Sequence, residues 1–90
     1  MVPRRSRFEM YVDTLTEIES GTVLPTNIMH ETNLNWNSLK RTLEKLIAQG
    51  FIEEQPIDGN KRSKKSYTLT ERGDNVLNYL KEANKILAID

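Results

Sequence analysis

Apolar residues along the chain change period twice, and each change marks an element. Phe8, Tyr11, Val12, Leu15 and Ile18 recur at three- and four-residue steps, the spacing of one helical face, and predict a helix over 6–20. Ser6 followed by Glu9 is the pattern of a capping box at its start, and Ser20-Gly21 ends it. Thr22-Val23-Leu24 is short and β-prone, and is expected to add a small third strand beside a later ribbon. Pro25 suits the first turn of a second helix over 25–32, with Ile28 and Met29 turned inward. Asn33-Leu34-Asn35 reads as a turn. Asn35 then caps a third helix over 36–49, whose buried stripe is Trp36, Leu39, Leu43, Leu46 and Ile47. Gly50 takes the position just past that helix, where φ is usually positive.

Beyond Gly50 the pattern becomes that of strands. Phe51 to Gln55 and Ser66 to Leu69 predict a two-stranded ribbon, with Pro56 limiting the pairing and Asp58-Gly59 marking the turn. Thr70 caps a last helix over 70–88, and Glu71 in its first turn suits the helix dipole. Val76, Leu77, Leu80, Ala83 and Leu87 form an apolar seam on it, with Tyr79 and Ile86 a heptad apart on an adjoining face. Such a helix extends ~26 Å at about 1.5 Å per residue, longer than a small three-helix core covers. A second copy of the chain is therefore expected to pack on the seam as a homodimer. Helices, a ribbon and a further helix in this order define an α+β fold, a winged helix-turn-helix with a three-helix core, a β-hairpin wing and an extended C-terminal helix. One domain spans 1–90, with core and wing over 6–69 and the terminal helix over 70–88.

Composition narrows the function classes. Ninety residues leave room for one core, and 37% hydrophobic with 29% charged residues suits a folded domain. The chain has no cysteine, hence no disulfide framework and no thiolate metal site, which fits an intracellular setting. Its first residues lack the apolar core of a signal peptide, and no apolar run approaches a membrane span. The expected location is cytoplasmic. His30 is the only histidine and cannot by itself build a metal site or a catalytic pair. No Gly-rich phosphate loop, acid pair or nucleophile–base arrangement occurs. The expectation is a binding protein without cofactor or metal, not an enzyme.

Thirteen Lys and Arg balance thirteen Asp and Glu, but the charges are segregated. Ten of the thirteen cations fall in three clusters: Arg4, Arg5 and Arg7; Lys40, Arg41 and Lys45; and Lys61, Arg62, Lys64 and Lys65. Glu44 is the only acid within those windows. Local field, screened beyond roughly 8–10 Å at ordinary salt, steers a polyanion more than net charge does. The solvent face of the third helix holds Asn37, Lys40, Arg41, Glu44 and Lys45, with Asn35 and Ser38 at its start. Asn37 and Arg41 match adenine and guanine edges, while Lys40 and Lys45 suit phosphates. Lys61, Arg62, Lys64 and Lys65 would form a basic wing on the DNA backbone. Arg4, Arg5 and Arg7 either extend that footprint or fray at the terminus. Trp36, in phase with the stripe, is assigned to packing, and Tyr67 to the seam between sheet and helix.

Three segments carry a family resemblance: Thr32-Asn33-Leu34-Asn35-Trp36, the run from Leu43 to Ile52, and Tyr67-Thr68-Leu69-Thr70-Glu71-Arg72-Gly73. Together they resemble the small winged-helix regulators widespread in archaea, relatives of the MarR and PadR groups in architecture. One archaeal branch, abundant DNA-binding proteins with a C-terminal antiparallel coiled coil, is similar in outline but has a longer last helix. The resemblance implies a sequence-specific, double-stranded-DNA-binding transcriptional regulator. Two alternatives stay open: a non-specific architectural, chromatin-type DNA binder, and a winged helix serving as a protein–protein interaction module.

Overall fold

The computed structural model describes residues 6–56 and 65–87. Its element order is α1 (Arg7–Glu19), α2 (Pro25–Thr32), α3 (Trp36–Ala48), β1 (Ile52–Pro56), β2 (Lys65–Leu69) and α4 (Glu71–Leu87). The expected helices are all present, shortened where their end residues act as caps. Ser6 Oγ accepts the Glu9 N–H at 3.0 Å while Glu9 Oε1 accepts the Ser6 N–H at 2.9 Å, completing the capping box. Asn35 Oδ1 accepts the Ser38 N–H at 2.8 Å and so starts α3. At the end of α3 the Gly50 N–H donates to Ile47 O and the Phe51 N–H to Leu46 O. That pair of bonds is a Schellman motif, and Gly50, at φ +80°, supplies the left-handed residue it needs.

α1 packs against α2, α3, α4 and β2. The core it anchors is built from Leu15, Ile18, Ile28, Leu34, Leu39, Leu43, Leu46, Ile52, Tyr67 and Leu77. β1 and β2 pair antiparallel, with Ile52 opposite Leu69, Glu54 opposite Tyr67 and Pro56 opposite Lys65. The ribbon starts one residue later than expected because Phe51 is occupied by the helix-ending motif, and its carbonyl accepts the Thr70 N–H at 3.1 Å.

Residues 22–24 do not form the expected third strand. The Tyr67 N–H donates to Val23 O at 3.0 Å, yet the sheet among the described residues has two strands. Pro25 opens α2 immediately afterwards, so the chain turns away after a single bond. Trp36 also departs from expectation: it is 46% exposed. As the first residue of α3 it projects past the core, and Thr42 takes a buried place on the stripe beside Leu39, Leu43 and Leu46.

The junction between α3 and α4 is close-fitting. The Thr70 hydroxyl donates to Gly50 O at 2.6 Å and accepts the Gly73 N–H at 3.0 Å, so one side chain caps α4 and ties it to the end of α3. The Arg72 guanidinium lies over the Phe51 ring, 5.4 Å from its centroid. Gly73 is buried, and a Cβ on it would stand 1.9 Å from Phe51 O and 2.9 Å from Phe51 C. Only a residue without a side chain lets α4 sit this close to the start of the ribbon.

Two stability outcomes follow. In a helix, Gly→Ala normally stabilises by about 1 kcal/mol. At Gly73 the sign reverses, and Gly73→Ala lowers the unfolding free energy in urea titration by about 2–3 kcal/mol through overpacking against backbone. Thr14 is fully buried, and its Oγ1 has no hydrogen-bond partner among the described residues. Thr14→Val keeps the shape and removes the orphaned hydroxyl, so it raises stability by about 1 kcal/mol in the same titration.

Candidate nucleic-acid interface

α3 turns its leucines inward, and this decides what faces out. With Leu39, Thr42, Leu43 and Leu46 buried, the 3.6-residue period puts Asn37, Lys40, Arg41, Glu44 and Lys45 on the opposite side. All five are exposed. The N-terminal half of this face carries Asn37, Lys40 and Arg41. Asn35 is exposed too, but its side-chain oxygen is committed to the cap. Ser38 is half-buried, and its carbonyl accepts the Thr42 hydroxyl at 2.9 Å. These two residues set the start of the helix.

Between α3 and the ribbon lies a cleft of about 480 Å³. α3 contributes Trp36, Lys40, Leu43, Glu44 and Ile47; the ribbon contributes Glu54, Lys65 and Tyr67; Leu24, Pro25 and Thr26 complete the lining. Lys40 and Lys65, twenty-five positions apart in sequence, therefore line one concavity. On the other flank of α3, Arg41, Glu44, Lys45 and Ala48 line a shallower depression. Lys61, Arg62 and Lys64, with Arg4 and Arg5, lie outside the described residues; Arg7 is exposed at the start of α1.

The ribbon's inner face holds a polar cluster that charge patterning alone did not single out. The Tyr67 hydroxyl donates to Glu54 Oε2 at 2.9 Å, and Lys65 Nζ is 3.4 Å from Glu54 Oε1. Burial, then the hydrogen bond to Glu54, then the charges of Glu54 and Glu44, push the Tyr67 pKa up to about 12. Tyr67 thus stays a neutral donor at any ordinary pH and holds Glu54 in place. The Lys65–Glu54 pair is half-exposed and contributes little to stability; its effect is to orient both side chains at the cleft. Strand parity carried the signal, since Ile52 points inward and Glu54, two residues on, shares its face.

α4 presents a second apolar surface. Leu77 is fully buried, so it belongs to the chain's own core and is not available to a partner, contrary to the expectation that it lies in a dimer seam. The helix needs it to dock on the α1 side, where Lys81 Nζ also reaches Glu19 Oε1 at 2.7 Å. Val76, Leu80 and Ala83 are half-buried, whereas Tyr79 is 73% and Ile86 75% exposed. Among the described residues no group of three or more His, Cys, Asp or Glu is arranged to hold a metal ion, and no helix is long and apolar enough to cross a membrane.

Comparison with known proteins places this architecture. An uncharacterised protein of Methanocaldococcus jannaschii is 32% identical over 84 residues, covering 93% of this chain and 78% of that protein. A PadR family transcription regulator from hypervirulent Clostridium difficile superposes with a TM-score of 0.79 at 14% identity, over 87% of this chain and 88% of that one. Mutant MarR from E. coli complexed with operator DNA gives a TM-score of 0.69 at 21% identity, over 77% of this chain and 49% of that one. At those identities the two solved structures share the fold, so the architecture is that of the MarR and PadR groups. The family model described as winged helix-turn-helix matches residues 4–88, and with helix, ribbon and helix joined as above, the chain belongs to the winged helix-turn-helix family.

Proposed function

We propose that this protein is a double-stranded-DNA-binding transcriptional regulator, not an enzyme. In this reading α3 enters the major groove, with Asn37 and Arg41 reading base edges while Lys40 and Lys45 hold phosphates. Lys61, Arg62, Lys64 and Lys65 grip the backbone as the wing, and Asn35 and Ser38 fix the start of the reading helix. One observation carries the proposal: the exposed face of α3 bears Asn37, Lys40, Arg41 and Lys45 together, and Lys65 of the ribbon lines the same cleft as Lys40. The operator-DNA complex formed by the MarR protein of like fold supports it.

The regulator acts as a homodimer through α4. Leu77 faces the chain's own core, so the partner meets the flank carrying Tyr79 and Ile86, with Val76, Leu80 and Ala83 beside it. Two exposed large apolar side chains a heptad apart on one helix support this arrangement. A dimer also suits DNA recognition, since two reading helices engage two half-sites.

A gel shift on duplex DNA tests the first part. Arg41→Ala is expected to weaken binding about tenfold or more, and replacing Lys61, Arg62, Lys64 and Lys65 together by Ala to weaken it on every sequence and flatten the salt dependence. With six to eight cations on phosphates, log K falls with log salt at a slope of roughly −5 to −7. Unchanged affinity in both variants ends the reading, and equal affinity for unrelated duplexes converts it to an architectural binder. Sedimentation at micromolar concentration tests the second part: a dimer is expected, and Tyr79→Glu with Ile86→Glu gives a monomer. A wild-type chain that sediments as a strict monomer refutes it.

A further inference from the structure

Asn37, Arg41, Glu44 and Ala48 follow one another at steps of four, three and four residues, forming one ridge opposite the buried leucines of α3. Glu44 stands on its crest, for it lines the depressions on both flanks of the helix. It is the single acid of that face, among Lys40, Arg41 and Lys45. Three carboxylates elsewhere in the fold are engaged: Glu9 accepts the Ser6 N–H, Glu19 pairs with Lys81, and Glu54 takes the Tyr67 hydroxyl and Lys65. Glu44 is exposed and accepts no hydrogen bond from another side chain among the described residues.

A carboxylate carried into a groove walled by phosphates raises the energy of every complex in which it finds no donor. In the major groove the donors are the exocyclic amino groups, N4 of cytosine and N6 of adenine; guanine offers O6 and N7, and thymine O4, all acceptors. Adenine places acceptor N7 beside its amino group, which repels the second carboxylate oxygen. Cytosine carries only C5–H beside N4.

Resting on the DNA-binding reading above, we infer that Glu44 determines specificity by accepting a hydrogen bond from the N4 amino group of a cytosine in the major groove. Its negative charge simultaneously weakens binding to sites without a cytosine there. Arg41 precedes it by three residues, about 4.5 Å along the helix axis. That is comparable with the ~3.4 Å rise of one base-pair step, so the guanine read by Arg41 and the cytosine read by Glu44 fall on the same or neighbouring pairs.

Selection of bound sequences from a random duplex pool, run with the full-length chain and with Glu44→Gln and Glu44→Ala, tests this. Glu44 is exposed, and thermal melting of each variant confirms that the fold is kept. Wild type is expected to enrich a consensus with one position fixed as cytosine, preferred about tenfold or more over the other bases. In Glu44→Gln that position shifts to adenine, because an amide both donates to N7 and accepts from N6. In Glu44→Ala it relaxes to no preference, and affinity for unrelated duplexes rises severalfold. The other positions stay as they were. An enriched wild-type consensus that is identical in both variants overturns the role of Glu44 and leaves DNA recognition standing. Failure of the wild type to enrich any sequence at all removes the specific-recognition reading itself, and this inference with it.

Discussion

The approach of Gly73 to the Phe51 carbonyl is the contact on which the rest of the structure depends. A methyl group at Gly73 would stand 1.9 Å from that oxygen, so α4 reaches its seat only because this residue lacks one. The same few residues end α3, start the ribbon and start α4. Gly50 closes the helix in a left-handed turn, Phe51 leads into β1 under the Arg72 guanidinium, and the Thr70 hydroxyl bridges Gly50 O to the first turn of α4. Three element ends are thus fixed by one cluster of backbone and side-chain groups. That fixes the angle between α3 and the ribbon, and with it the width of the cleft between them.

The surface that results is mixed in sign. Lys40 and Lys65 line the same cleft as Glu44 and Glu54, so attraction for a polyanion arises from arrangement rather than from excess charge. Tyr67 organises one side of it. Buried and kept protonated, it directs its hydroxyl to Glu54, and Glu54 in turn holds Lys65. A neutral chain can therefore carry a local basic face, provided its carboxylates are tied down or given a donor to meet.

Much of this was legible in the chain itself, for physical reasons that differ by element. The helices were readable because caps and stripes are local: Ser6 with Glu9, Asn35 with Ser38, and Gly50 after Ile47 each act within five residues. Leu39, Leu43 and Leu46 fixed which side of α3 is buried, and so which residues face out. The misreadings occurred where distant parts meet. Trp36 is in phase with the stripe but lies beyond the end of the core it would have joined. Leu77 is in phase with the seam but is used by the chain's own interior. Val23 has the propensity of a strand and the single hydrogen bond of one, but Pro25 turns the chain away.

The identity of the winged fold, the exposed face of α3 and the need for Gly at the helix end were set by the sequence alone, because each follows from period, capping chemistry or backbone sterics within a few residues. Tertiary structure alone decided that Gly73 must be Gly, that Glu54 is bound by Tyr67 and Lys65, and that Lys40 and Lys65 share a cleft. Each of these depends on a distance between residues eleven or more positions apart, or on the approach of one backbone to another, and no local pattern encodes such a distance.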